Sequence, residues 1–282
     1  MTNFKRGKWL AVAMMVCACG AAPEPRAGTG GGTGSWPPPG GNAGTGGGSE
    51  MKVGRVTGTV RDTQGRPIEG AKVRIENDFQ YFDVTTDSSG RYVSPSLPVG
   101  GYKAVAWADV TYDGMAYALR LGMPTSSDYD FFGSEGAVRN FEWQLTGRIP
   151  DRTPDGATGF FGGALEFMNG TGSIYDARMD PGDVVEVHLE PQGPLIDGSA
   201  GQVLERSFTV PNNNELSYVV DIPVGVYRVT ARRIMPGGGS EDLLLGSFSQ
   251  QGAWATVRFL PSGDYSYESG IKRTSLYLRL NR

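Results

Sequence analysis

A six-residue corner occurs twice in this 282-residue chain, and it limits the choice of fold more than any other feature. The first copy is Leu97-Pro98-Val99-Gly100-Gly101-Tyr102 and the second is Ile222-Pro223-Val224-Gly225-Val226-Tyr227. Proline sets its own φ and glycine opens backbone space closed to other residues, so each copy turns the chain sharply. The strand that follows alternates with period two: Tyr102, Ala104 and Ala106 share one face, as do Tyr227, Val229 and Ala231. A sharp corner feeding an alternating strand, used once in each half, predicts antiparallel β-sandwiches with a tyrosine covering one end of each core.

The flanking segments agree. Val56, Gly58 and Val60 alternate with Thr57 and Thr59, and Ala71, Val73 and Ile75 alternate with Lys72, Arg74 and Glu76. Asp62-Thr63-Gln64-Gly65 and Asp87-Ser88-Ser89-Gly90 are turn sequences, and Tyr81 to Thr86 and Arg91 to Val93 supply further strands. Asp113-Gly114 is a two-residue hairpin signal, with a return strand from Tyr117 to Leu121. Phe141, Trp143 and Leu145 close the first half. In the second half, strands are expected at Ala164–Met168, Val184–Glu190, Leu204–Val210, Leu216–Ile222, after the corner, and at Leu243–Phe248, Trp254–Phe259 and Leu276–Leu280. About seven strands suit a Greek-key sandwich.

The first half also resembles a known family. The string Gly58-Thr59-Val60, Gly65-Arg66-Pro67-Ile68-Glu69-Gly70-Ala71-Lys72-Val73, Thr86-Asp87-Ser88-Ser89-Gly90-Arg91-Tyr92 and Leu97-Pro98-Val99-Gly100-Gly101-Tyr102 is similar to the carboxypeptidase regulatory-like domain. The resemblance covers residues 54–107 best. It implies a transthyretin-like β-sandwich acting as an accessory domain, because no His-x-x-Glu of the family's zinc peptidase occurs here. In the similar collagen-adhesin B-type domains, an acid four residues after the corner tyrosine promotes a Lys–Asn isopeptide bond. Those positions are Ala106 and Ala231, so no such crosslink is expected.

The N-terminus reads as an address. Lys5, Arg6 and Lys8 precede an apolar run from Trp9 to Val16, far short of the ~20 residues that span a bilayer. Val16-Cys17-Ala18-Cys19-Gly20 resembles the bacterial lipobox, which implies cleavage after Ala18 and diacylation of Cys19. The alternative is ordinary secretion with cleavage near Ala22. A Gly- and Pro-rich stretch from Ala27 to Ser49, with Trp36 in its middle, has little to bury and reads as a flexible tether of ~25 Å root-mean-square reach. The expected organisation is therefore all-β: signal peptide 1–18, disordered tether 19–51, sandwich 52–147, linker 148–159 and second sandwich 160–282. The expected location is the cell envelope, lipid-anchored at the outer membrane or cell surface.

Charge and side-chain chemistry narrow the function. The chain holds 26 basic and 30 acidic residues, and loss of the signal peptide moves the net charge from −4 to −7. With no basic run beyond the N-terminus, nucleic acid is not an expected partner. Both cysteines, Cys17 and Cys19, lie at the N-terminus and His188 is the only histidine, so no thiolate metal site, no zinc site of the usual His/Cys kind and no cofactor is expected. Gln192 to Ser199 is Gly- and Pro-rich but lacks the lysine and following helix of a phosphate loop.

Candidate ligand contacts are Val105 and Trp107, which put apolar area on a face where the second copy carries Arg228, Thr230 and Arg232. Either the nearby return strand covers them or they are a contact patch. Tyr112 and the cluster Asp128, Tyr129 and Asp130 join them as candidates, offering carboxylates among aromatics for a sugar or an ion. His188, flanked by Glu186 and Glu190, reads as part of a solvated strand face. Asp176, Asp180 and Asp183 are the best calcium candidates and read first as turn acids. The function expected is a non-catalytic binding or adhesion module for an envelope protein or a glycan. The alternatives are a structural spacer and a hydrolase using carboxylates such as Asp128 and Asp130.

Overall fold

The computed structural model describes residues 50–124, 130–152, 159–170, 178–212, 216–261 and 272–281. The signal peptide, Cys19 and nearly all of the tether lie outside the described residues, as do Asp128, Tyr129 and Asp176. No helix occurs among the described residues. The first half holds β1 (Val56–Arg61), β2 (Lys72–Glu76), β3 (Tyr81–Thr85), β4 (Arg91–Val93), β5 (Gly101–Tyr112), β6 (Met115–Leu121), β7 (Asp130–Phe132), β8 (Ala137–Val138) and β9 (Phe141–Glu142). The second holds β10 (Gly163–Asn169), β11 (Val184–Pro191), β12 (Leu204–Thr209), β13 (Ser217–Ile222), β14 (Val226–Ile234) and β15 (Ser240–Gly246). It finishes with β16 (Gln251–Gly252), β17 (Ala255–Arg258), β18 (Leu260–Pro261) and β19 (Lys272–Leu280).

The two halves share one wiring. In the first, β3-β2-β5-β6 form one sheet while β1 pairs antiparallel with β4 and parallel with β8 and β9. In the second, β12-β11-β14-β15 repeat the first order, and β10 pairs antiparallel with β13 and parallel with β19. Each corner links the same two positions, β4 to β5 and β13 to β14. β15 then crosses between sheets, its start pairing with β14 and its end with β19. The all-β, tandem-sandwich expectation holds.

The corner tyrosines occupy matching places. Tyr102 and Tyr227 are both buried, each at the start of the strand that leaves its corner. Tyr102 packs against Phe82 and Phe131, with ring centroids 6.4 and 6.2 Å away, and Tyr227 meets Phe259 edge-on at 6.1 Å. Their hydroxyls differ in partner. Gln80 Nε2 donates to Tyr102 at 2.6 Å, whereas Tyr227 donates to its own corner at the Pro223 carbonyl, 2.8 Å away. Gly225 does not need a left-handed φ. A Cβ there would lie 2.9 Å from Leu195 Cδ2 and 3.2 Å from the Tyr227 ring, so its glycine makes room for the tyrosine.

The compact unit that begins at Gly46 contains both sandwiches. The β5–β6 hairpin joins them. Its inner face supplies Tyr117 and Leu119 to the core of the second half, where Leu165, Phe167, Val185, Val187 and Leu189 gather. Val110 and Trp143 touch the cores of both halves. The Tyr117 hydroxyl donates to the Phe259 carbonyl at 2.6 Å, Tyr112 donates to the Pro194 carbonyl at 2.8 Å, and Arg258 pairs with Asp113 at 2.5 Å. Thr63 Oγ1 donates to Asp197 at 2.7 Å.

The described ends of the expected linker are also fastened. Ile149 is buried, Arg148 bridges to Phe160, and the Asp221 carboxylate accepts from the Gly147 and Gly162 amides at 2.8 and 3.3 Å. Asp221 sits at φ 60°, a costly conformation for a non-glycine residue, held by those amides.

Candidate functional site

β11 and β14 each put one residue in two inside. Val185, Val187 and Leu189 of β11 are wholly buried, as are Tyr227 and Val229 of β14. The period of two therefore sends Glu186, His188 and Glu190 outward beside Arg228, Thr230 and Arg232. Pairing decides who meets whom: Glu186 lies opposite Arg232, His188 opposite Thr230 and Glu190 opposite Arg228. On the other side of β11, His188 lies opposite Glu205 and Glu186 opposite Ser207. Asp242 of β15 lies opposite Arg232 and completes the row.

Apart from Glu190 and Arg228, these side chains line an open groove of about 1050 Å³ along the outer face of the sheet, together with Arg206 and Ala253. His188 Nδ1 lies 2.5 Å from Glu205 Oε1, and both side chains are well exposed. Glu190 and Arg228 approach to 3.8 Å. Exposed pairs of this kind contribute little to stability, of order 0–1 kcal/mol, so the row is not explained by holding the fold together. Glu186, Arg232 and Asp242 make no ion pair within the described residues. Next to Ala253, Trp254 is half exposed, with the Arg228 guanidinium 5.4 Å above its ring. The groove thus offers carboxylate acceptors and guanidinium donors, and Trp254, next in the chain to its lining residue Ala253, adds a flat aromatic surface beside it. Among the described residues no cluster of three or more His, Cys, Asp or Glu can hold a metal ion.

The sequence-derived candidates lie elsewhere and are not brought together. Val105 is fully buried and Trp107 is 6% exposed; they form a small apolar cluster of their own with Ala118. The expected exposed patch is corrected: the cover comes from neighbouring side chains. The Arg74 guanidinium lies 5.6 Å over the Trp107 ring, held by Asp83 at 2.7 Å, and also stacks on Tyr81 at 4.3 Å. Arg120, cross-strand from Trp107, is buried and reaches Asp151 at 2.9 Å. The return strand β6 extends the sheet at the edge of β5 and does not stack on that face. Tyr112 is half buried against the second core. Asp130 is exposed, opposite Lys103, and its carbonyl accepts from Arg139 at 3.2 Å. Tyr112 and Lys103 are nine residues apart on β5, roughly 30 Å, so Tyr112 and Asp130 cannot share a ligand of small size.

The calcium candidates have another partner. Asp180 and Asp183 hold the buried Arg233 guanidinium at 2.7 and 2.5 Å, with Glu241 at 3.1 Å. Burial opposes charging Arg233, but these three carboxylates more than offset it and raise its pKa. A guanidinium already neutralises the acids a cation would need.

What the sequence reading missed is the groove's membership. Glu205, Arg232 and Asp242 come from three separate segments, and only the register of β12, β11, β14 and β15 places them around His188. The outward alternation of Arg228, Thr230 and Arg232 was the available signal.

Comparison with solved structures finds weak likenesses. The chain is 11% identical to the Bacillus anthracis TIE protein, over 81% of this chain and 34% of that one, with a TM-score of 0.28. It is 9% identical to the major pilin subunit of Bacillus cereus (82% and 100%, TM-score 0.24). It is 10% identical to a candidate carbohydrate-binding protein of Bacteroides uniformis (72% and 98%, TM-score 0.22). The chain spans about a third of the first of these. Likeness at this level identifies no ligand and no partner. No curated protein matches the chain. One family model does match: residues 55–131, the sandwich built around the first corner, are matched by the carboxypeptidase regulatory-like domain.

Proposed function

We propose that this chain is a lipid-anchored envelope protein that works without catalysis, binding a glycan or cell-wall polymer along the outer face of its second sandwich. The observation that carries this reading is the groove of about 1050 Å³ on that face, where Glu186, Arg232 and Asp242 make no ion pair among the described residues. An open, polar trough suits an extended hydroxyl-rich polymer better than a small apolar molecule, whose sites are enclosed and largely hydrophobic. Carboxylates accept hydrogen bonds from sugar hydroxyls, guanidinium groups donate to ring and hydroxyl oxygens, and Trp254 offers its flat face to the C–H side of a sugar. In the sequence the first sandwich, matched by the carboxypeptidase regulatory-like domain, lies between the anchor and the strands of the groove. The lipobox at Val16–Gly20 supports Cys19 as the acylated residue and the cell envelope as the location.

The test is equilibrium binding of the compact unit 46–282 to an array of bacterial cell-wall polymers and glycans. Saturable binding is expected, and Trp254→Ala and Arg232→Ala should each weaken it about tenfold, since a central aromatic or arginine anchor is typically worth 1–2 kcal/mol. Their melting temperatures should stay at the parent value because both side chains are exposed. A folded protein with no saturable ligand on such an array would remove the binding reading and leave a spacer.

A further inference from the structure

One pole of the first sandwich is apolar, and four turns build it. The turn before β1 closes where the Arg55 amide donates to the Lys52 carbonyl. The corner joins it through the Leu97 amide, which donates to Gly54. The end of β7 joins through Gly133, whose amide donates to the Gly100 carbonyl, and Gly136 packs on the Lys52 carbonyl so tightly that a Cβ would lie 2.1 Å from it. The β2–β3 turn joins through Gln80, which holds Tyr102. Each turn exposes a large apolar side chain: Met51 69%, Val53 84%, Val99 90%, Phe132 64% and Phe79 94%. None of these contributes to a core. Such a concentration at one end of a domain marks a contact surface.

The strand directions show what lies at each end. β5 leaves this pole at Gly101 and runs 12 residues, ~40 Å, to Tyr112, where the second half is attached. The apolar pole is therefore the end remote from the second sandwich and its groove. It is also the end where the tether arrives, since the Lys52–Arg55 turn lies within a few residues of the Gly-rich stretch ending at Ser49.

We propose that this pole seats on the lipid bilayer. The assignment rests on the lipid anchor at Cys19 put forward above. Acyl chains at Cys19 and a tether of ~25 Å reach hold the pole at high local concentration beside a bilayer, so shallow insertion of five apolar side chains is enough to orient the molecule. Phenylalanine, valine and methionine enter the boundary between headgroups and acyl chains. The charges beside them are of both signs, Glu50, Lys52, Asp78 and Glu135, so attraction to anionic lipid is not the driving force. Docked this way, the first sandwich stands upright and lifts the groove off the membrane.

The test uses the full chain, expressed in a bacterium that acylates lipoproteins and reconstituted into phosphatidylethanolamine–phosphatidylglycerol vesicles. An environment-sensitive fluorophore is placed on Val99→Cys, or on Gly193→Cys beside the far end of the hairpin. A Cβ at Gly193 meets nothing within 4 Å, and residues 20–282 contain no cysteine of their own. The probe at 99 should shift to the blue and be quenched by nitroxide-labelled lipid, while the probe at 193 stays aqueous. Adding Phe79→Ser and Phe132→Ser should abolish the shift while the chain still floats with the vesicles, and raised salt should leave the shift intact. A chain that floats with an aqueous probe at 99 overturns the docking and leaves the anchor standing. A shift that survives Phe79→Ser and Phe132→Ser overturns the assignment to this pole. Unmodified Cys19 with no flotation overturns the anchor, and the docking with it.

Discussion

If the β5–β6 hairpin welds the two sandwiches, cutting its central contact should uncouple them. Tyr117 is the place to cut. Its ring is 2% exposed within the second core although its strand belongs to the first sheet, and its hydroxyl donates to the Phe259 carbonyl at 2.6 Å. Tyr117→Phe keeps the ring and removes the hydrogen bond, leaving a buried carbonyl without its partner. That costs about 1–2 kcal/mol. Tyr117→Ala removes the ring as well and opens a cavity, at a cost of about 3–5 kcal/mol. For a unit of this size each 1 kcal/mol moves the melting temperature by about 2–4 °C, so the two variants should melt roughly 2–8 °C and 6–20 °C lower. The assay is urea unfolding of the compact unit 46–282 followed by tryptophan fluorescence and circular dichroism. The parent should show one coincident transition by both probes; Tyr117→Ala should show two, as the halves part company. A Tyr117→Ala variant within about 1 kcal/mol of the parent, still unfolding in one step, would refute the weld.

Four other outcomes are expected. Trp107→Ala should cost about 3–5 kcal/mol in denaturant unfolding, because a buried aromatic is lost from under Arg74 and Arg120, and should leave glycan binding unchanged. Gly58→Ala should cripple folding, seen as loss of soluble protein, since its Cβ would stand 1.8 Å from the Arg139 carbonyl on an adjacent backbone. In alkali, burial and then the nearby Tyr112 push Tyr117 and Tyr227 up to about 12. Ionisation therefore favours the unfolded chain: the stability is complete below about 10, the ordinary tyrosine value, and is lost as pH rises toward 12. Phenolate absorbance should show those two tyrosines titrating together with unfolding. In acid, burial raises Asp197, but hydrogen bonds from Ser199 and Thr63 outweigh it and leave the pKa lowered. Its contribution is thus present above about 4 and lost as pH falls below that, and Asp197→Asn should flatten this part of the acid-unfolding curve.

Local chemistry made much of this architecture readable. Period-two alternation and turn residues place strands without knowledge of neighbours, because both act over two to four residues. So Val185, Val187 and Leu189 could be sent inward, and Tyr102 and Tyr227 set at the ends of two cores, from the chain alone. The duplicated corner even reports the duplicated wiring, since the same bend must join the same two strands.

Pairing across the molecule was decided only in three dimensions. Alternation says that Trp107 faces away from the core, but it does not say that Arg74 and Arg120 lie on the same side to close over it. An Asp-Gly turn announces the β5–β6 hairpin, yet the hairpin's apolar inner face is shared with a sheet some hundred residues further on. Asp180 and Asp183 look like free turn acids until Arg233 is brought to them. The groove follows the same logic: which of two faces a residue occupies is a local property, whereas which residues stand beside it depends on strand order and register, and those are set by the packing of the whole unit.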